Sequence, residues 1–183
     1  MASRGALMKK AVLIDTSSAI LLFKSDWMIP LMKGYRVGTG PVAFREMTAT
    51  GYPGATAFKQ WQQQNRLVLH PRCPTGHARQ RDLHRLDPGE RECINLFYSG
   101  AGTFIIIDDG PGAAFCRREA IPYVNALLIP RLLGPGAAID GAGIEAAIQK
   151  IYVRGRYAPW VLEYALTRPL EDLAFFLPGH PTD

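Results

Sequence analysis

Along the chain, short uninterrupted apolar runs alternate with stretches whose apolar positions recur every three or four residues. The runs "AVLID", "YRV", "RLVLH", "TFIIIDD" and "IPYVN" read as strands. "AVLID" and "TFIIIDD" are apolar until their last positions, as parallel strands covered on both faces tend to be. Between them lie helical patterns: "SAILLFK", capped by Thr16 or Ser17, "GTGPVAFREMTAT" with Pro41 in its first turn, "PGATAFKQWQQQ", "DPGERECINLFYSGA" and "GAAFCRREA". The fourth is the best signalled: Asp87 stands at the N-cap, Pro88 at the first helical position, Glu90 at the third and Gly100 near the stop. "PRCPTGH" reads as a loop. After the last strand come "ALLIPRLL", "GIEAAIQKIYVRG" and "APWVLEYAL", with "GPGAAIDGAG" as a helix linker. Strands alternating with helices predict an α/β fold: a central, mostly parallel sheet, helices on both faces, and extra helices at the C-terminus.

Length and composition narrow this picture. The 183 residues, 48% hydrophobic and 20% charged, suit a single domain over residues 1–168, its C-terminal helices starting at about 137, and a loosely ordered tail over 169–183. Three scattered cysteines suggest a reducing compartment, hence the cytoplasm, rather than a disulfide framework. The N-terminal "MASRGALMKK" leads into an apolar run that Asp15 interrupts at once, so no signal peptide is expected. No apolar run reaches the ~18 residues of a spanning helix, so no membrane partner is expected. The net charge of +5 is compatible with nucleic acid without demanding it.

The candidate chemistry is acidic. In an open parallel sheet, ligands bind beyond the carboxyl ends of the strands. Asp15 ends the first strand; Asp108 and Asp109 end a later one; Glu46 and Glu90 lie in helices that follow strands. Two unit charges ~4 Å apart repel by about 4 kcal/mol at an effective dielectric near 20, so gathered carboxylates take up protons or share a cation. An all-oxygen set favours Mg²⁺ or Mn²⁺. Each acid also has a plain structural role open to it: Asp15 as a cap, Glu46 as a solvated helix residue, Glu90 as the partner of Asp87 in a D-x-x-E cap, Asp109 as a cap for the next helix. Order and placement on strand ends raise the functional reading.

"LIDTSSAILLFK", then "VAFREM", then "LDPGERECINLFYSGAGTFIIIDD" resemble, in this order, a PIN domain, most of all the small prokaryotic PIN proteins related to VapC-type toxins. The resemblance runs from about residue 12 to 166. It implies a metal-dependent ribonuclease whose Mg²⁺ or Mn²⁺ is held by Asp15, Glu46, Glu90 and Asp108, with Asp109 beside them and Thr16 or Ser17 hydrogen-bonding a carboxylate or water. It implies RNA as substrate and admits an antitoxin protein and a homodimer as partners. Similar proteins often carry an Arg a few residues after the acidic pair; here "DDGPGAAFCRR" offers Arg117 and Arg118 only later, and these become the candidates for substrate phosphate. The alternative is a catalytically inactive nucleic-acid-binding or protein-interaction module on the same fold.

Other chemistry is less well supported. The spacing of His70, Cys73, His77 and His84 matches no familiar zinc site. No G-x-S-x-G occurs, and an aspartyl phosphatase would want an acid where Ser17 stands. Two basic stretches, with Arg79, Arg81 and Arg85 and with Lys150, Arg154 and Arg156 beside Tyr152 and Tyr157, are solvated faces or tracks for a phosphate backbone.

Overall fold

The structure, a computed structural model, describes residues 9–71, 80–108, 110–137 and 139–179. Among these, five strands form one sheet in the order β3-β2-β1-β4-β5: β1 (Ala11–Ile14), β2 (Arg36–Thr39), β3 (Leu67–Leu69), β4 (Phe104–Ile106) and β5 (Tyr123–Val124). Every pairing is parallel, where the sequence predicts only a mostly parallel sheet.

The strands are apolar throughout because both faces are covered. Val12 and Ile14 point to one face and Leu13 to the other; Phe104 and Ile106 join the first pair, Ile105 and Ile107 join Leu13. This is the alternation of a pleated strand. The first face receives α1 (Thr16–Lys24), α2 (Met28–Gly34) and α4 (Ala55–Gln63), through Leu22, Leu31 and Phe58. The second face receives α5 (Pro88–Tyr98) and α6 (Pro111–Arg118), through Ile94 and Phe115. Between the strands and these layers, α3 (Pro41–Met47) follows β2. The expected three-layer α/β arrangement is what the chain adopts.

The extra helices α7 (Ile129–Ala137), α8 (Gly141–Arg154) and α9 (Pro159–Thr167) thicken the first face. The expected linker at "GPGAAIDGAG" is partly helical, since α7 continues through Pro135. The expected loose tail is also corrected over its first part. Leu173 is 2% exposed, the Phe176 ring meets Phe104 edge-on at 5.1 Å, and Tyr35 Oη donates to the Phe176 carbonyl at 2.7 Å. Two aromatic anchors outweigh the Pro and Gly residues that suggested disorder. Among the described residues no helix is long and apolar enough to cross a membrane.

The chain builds β1, β2 and β3 outward, then returns to the other side of β1 for β4 and β5. The order therefore reverses between β1 and β4. Helices on either side of that reversal turn to opposite faces and leave a crevice beyond the carboxyl ends of those two strands.

Candidate functional site

Asp15 and Asp108 stand in this crevice. The Asp15 amide donates to the Ile106 carbonyl at 3.2 Å, extending the β1–β4 ladder by one residue. Asp15 is 5% exposed and caps α1: its Oδ1 accepts from the Ser18 amide at 2.9 Å and its Oδ2 from Ser17 Oγ at 2.6 Å. Asp108 follows β4 two residues on. Its Oδ1 accepts from the Ala126 amide at 2.9 Å and from Tyr157 Oη. The Asp15 cap is legible from "IDTSS"; Tyr157 reaches Asp108 from the turn after α8, and nothing local announces that.

Glu90 and Glu46 flank the pair. Glu90 completes the capping arrangement at the head of α5, its Oε2 accepting from the Asp87 amide at 3.2 Å. It does more than cap, because its Oε1 accepts from the Gly112 amide of α6 at 3.1 Å. Glu46 Oε2 accepts from Thr16 Oγ1 at 2.6 Å, next to Gly89. Thr16 and Ser17 thus each hold a carboxylate.

The electrostatics mark the pair as costly. Burial pushes the Asp15 carboxyl above the ordinary range, against its hydrogen bonds to Ser17 and Ser18. Asp108 is pushed up to about 6, first by burial and then by the Asp15 charge; its residue surface is partly exposed, yet protein surrounds the carboxylate itself. Burial raises Glu90 too, with smaller contributions from the charges of Asp87 and Asp15. The Ser18 hydroxyl, fully buried, acts on both Asp15 and Asp108 without meeting either in hydrogen-bonding geometry. Among the described residues no lysine or arginine forms a salt bridge with Asp15, Glu46, Glu90 or Asp108. Buried like charges without a counter-charge are the condition that a divalent cation relieves.

The donor chemistry fits Mg²⁺ or Mn²⁺, because every candidate ligand is a carboxylate or hydroxyl oxygen. The geometry limits that fit: among the described residues no group of three His, Cys, Asp or Glu is gathered closely enough to hold an ion. Mg²⁺ keeps several waters and is commonly held by only one or two carboxylates. Asp15 and Asp108 would meet that lesser demand; Glu90 is close enough to feel the Asp15 charge, and Glu46 lies against Gly89 beside it. Asp109 lies outside the described residues, as do Cys73, His77 and Arg79 of the other candidate sets.

Two expected substrate contacts are placed elsewhere. Arg117 and Arg118 occupy the last turn of α6, whereas its first turn faces Glu90. Five residues of helix separate the two ends by about 7.5 Å. Arg117 donates to Tyr123 Oη, and Arg118 pairs with Glu119 at 3.1 Å. Basic residues reach the site by another route. A cavity of about 340 Å³ is lined by Ser17 and Asp108 on one side and by Lys24, Arg154, Arg156 and Tyr157 on the other. Lys150, of the same basic stretch, is instead bridged to Asp26.

Glu92 was not singled out by its sequence. It is 8% exposed and its Oε2 accepts from the Val42 and Ala43 amides at 2.7 and 3.2 Å, capping α3 from α5. A signal was present: α3 opens on Gly40, which has no capping side chain, so its first amides need an acceptor from elsewhere. Gly40 also makes the space, since a Cβ there would lie 2.2 Å from the Glu92 carboxyl carbon.

No family model, no curated protein and no solved structure matches the chain, so what stands on its own evidence is an α/β fold with a five-stranded parallel sheet and carboxylates at the point where its strand order reverses.

Proposed function

We propose that this protein is a metal-dependent ribonuclease of PIN-like architecture that hydrolyses RNA phosphodiesters at the carboxyl rim of its sheet. One observation carries the reading. Asp15 and Asp108 are side by side where the strand order reverses, with raised pKa values and, among the described residues, no salt-bridge partner. A fold gains no stability from such a pair, and function is the usual reason to retain one.

In this reading Asp15 and Asp108 would hold Mg²⁺ or Mn²⁺, with Glu90 and Glu46 beside them. When bound, the ion supplies a water of lowered pKa and stabilises charge on a phosphoryl oxygen. The remaining work belongs to the chain. Ser17 and the Ser18 amide fix both oxygens of Asp15, and Thr16 orients Glu46. Ala126 and Tyr157 hold Asp108 through one oxygen, Oδ1. Lys24, Arg154 and Arg156 join the expected Arg117 and Arg118 as contacts to substrate phosphates, along the cavity beside Asp108. RNA is the partner, in the cytoplasm; a toxin held in check by an antitoxin that covers the rim is the same chemistry under regulation.

A second reading, an inactive RNA-binding or interaction module, is favoured by Glu90, whose two oxygens are both taken by amides. The deciding experiment is cleavage of end-labelled single-stranded RNA in Mn²⁺ and in EDTA, by wild type and Asp108→Asn. Cleavage that EDTA and the substitution both abolish supports the nuclease. Binding without cleavage in any divalent metal supports the module. Equal cleavage by Asp108→Asn, in ribonuclease-free preparations, overturns the role given to Asp108.

A further inference from the structure

A second cavity, of about 400 Å³, opens on the other side of Asp108 between α6 and α9. Ile107, the residue before Asp108, forms part of its wall, together with Arg117, Tyr123, Asn125, Trp160 and Tyr164. Its volume is that of a small-ligand site. Three features distinguish it from an ordinary surface dent.

Its aromatic residues are exposed. Trp160 and Tyr164 are 59% and 39% exposed, whereas Trp27 and Trp61 are 7% and 8%. Four residues apart on α9, Trp160 and Tyr164 lie on one face of the helix. Large apolar rings turned to solvent beside a polar-edged cavity point to a stacking ligand. A wall residue also carries an unmet hydrogen-bond demand: Asn125 Oδ1 is buried and, among the described residues, has no donor. The one charged residue of its described lining is Arg117, held on Tyr123 Oη at 3.2–3.3 Å; Arg168, whose guanidinium lies 5.3 Å from the Tyr164 ring centre, pairs with Asp172 at 2.9 Å.

We propose that this cavity is a nucleobase slot that positions an unpaired base of the RNA next to the cleavage site, with Trp160 as the stacking platform and Asn125 Oδ1 as acceptor for an exocyclic amino group. The slot rests on the nucleic-acid part of the reading above and deepens it by adding base selectivity. The ligand is a base that carries an amino group, cytosine before uracil among the pyrimidines.

Trp160 is the reporter as well as the platform, because the other two tryptophans are buried. Intrinsic fluorescence is titrated with CMP, UMP and ribose 5-phosphate, without metal. Saturable quenching by CMP, several-fold weaker quenching by UMP, none by ribose 5-phosphate, and loss of the signal in Trp160→Phe is the expected result. In parallel, Trp160→Ala and Tyr164→Ala lower the affinity for labelled oligocytidylate roughly tenfold or more, by fluorescence anisotropy, with the melting temperature as a check on folding. Equal quenching by CMP and ribose 5-phosphate, or unchanged oligocytidylate binding in Trp160→Ala, overturns the slot. So does a change of oligomeric state in Trp160→Ala with nucleotide binding intact, which assigns the exposed rings to a contact between copies of the chain. Equal CMP and UMP affinities, both lost in Trp160→Ala, overturn the role of Asn125 and support the platform. Cleavage without base-dependent quenching removes the slot and leaves the nuclease; base-dependent quenching with no cleavage in Mn²⁺ does the reverse.

Discussion

The two ends of the sheet bury charge in opposite ways. At the amino rim, Lys10 is 7% exposed, donates to the Phe175 carbonyl and lies 5.2 Å from the centre of the Phe175 ring; beside it Lys9 Nζ donates to the Met32 carbonyl at 3.1 Å. Burial lowers the Lys10 pKa, but every described contact there is attractive. At the carboxyl rim, burial raises both Asp15 and Asp108, the Asp15 charge raises Asp108 further, and their hydrogen bonds oppose the rise. One rim uses charge to fasten a C-terminal segment to the fold. The other concentrates charge that the fold alone does not neutralise.

The largest expected difference between the rims is in activity. Asp15→Asn and Asp108→Asn should each lower Mn²⁺-dependent RNA cleavage by at least ~100-fold, more than the loss usual when only a supporting contact of a metal ligand is removed. Lys10→Met should leave cleavage unchanged while lowering stability by ~1–3 kcal/mol, because the Phe175 carbonyl loses its donor. A Lys10→Met enzyme that fails to cleave at a temperature where it is folded would erase the functional contrast.

Stability should move the other way. The folded pKa of Asp108, about 6, lies above its unfolded value near 3.8. Between those values the native state binds more protons than the unfolded one, so stability falls as pH rises through the window and the penalty is complete above pH 6. A shift of about two units corresponds to at most ~3 kcal/mol. Asp108→Asn retains the acceptor for Ala126 and Tyr157 and removes the charge. Without metal the variant should therefore melt no lower than wild type at pH 8, and its advantage should vanish near pH 4. Asp15→Asn should behave alike in direction, since Asn caps a helix about as well as Asp. Chemical denaturation at the two pH values checks both. A cation that binds only the folded state gives a slightly smaller effect: about 2.7 kcal/mol for wild type at a hundredfold excess of Mn²⁺ over its Kd, and less for either Asn variant. An unchanged wild-type melt in millimolar Mn²⁺ counts against a metal at this rim.

The carboxyl rim was more legible in the sequence than the amino rim. Two-sided burial makes β1 and β4 continuously apolar, so an acid ending each strand stands out. The capping pair Asp87 and Glu90 is local and therefore readable. What escaped depends on distant partners. α2 carries Pro30 and no capping side chain, and its apolar residues are explained by packing against β2, α1 and the distant α7. Leu173 and Phe176 looked like a loose tail because their partners, Tyr35 and Phe104, lie far upstream. Glu92 passes unnoticed in the sequence because its acceptor role belongs to the start of α3. Tyr157 lies in a stretch that reads as a solvated face or a track for a phosphate backbone, and the structure turns its hydroxyl onto Asp108.

Tyr157 gives the smallest and most discriminating prediction. Its hydroxyl donates to Asp108 Oδ1 and opposes the rise of that carboxyl's pKa. In Tyr157→Phe the donor is lost, so the Asp108 pKa should climb further above 6 and the acidic limb of the cleavage–pH profile should move to higher pH. The stability cost should itself depend on pH. A hydrogen bond to an ionised carboxylate is worth about 1.5–3 kcal/mol and one to a neutral group about 0.5–1.5 kcal/mol. The difference between wild type and variant should then widen as pH rises through the Asp108 pKa. Gly155→Ala should reproduce this without touching the hydroxyl: a Cβ at Gly155 would lie 2.3 Å from the Tyr157 ring, so the ring must shift and its bond to Asp108 must lengthen. If Tyr157 serves only to pack α8 against the sheet, both variants lose stability equally at every pH and the acidic limb stays where it is. A shared shift of that limb ties Tyr157 to the charge on Asp108, and with it the C-terminal helices to the chemistry of the rim.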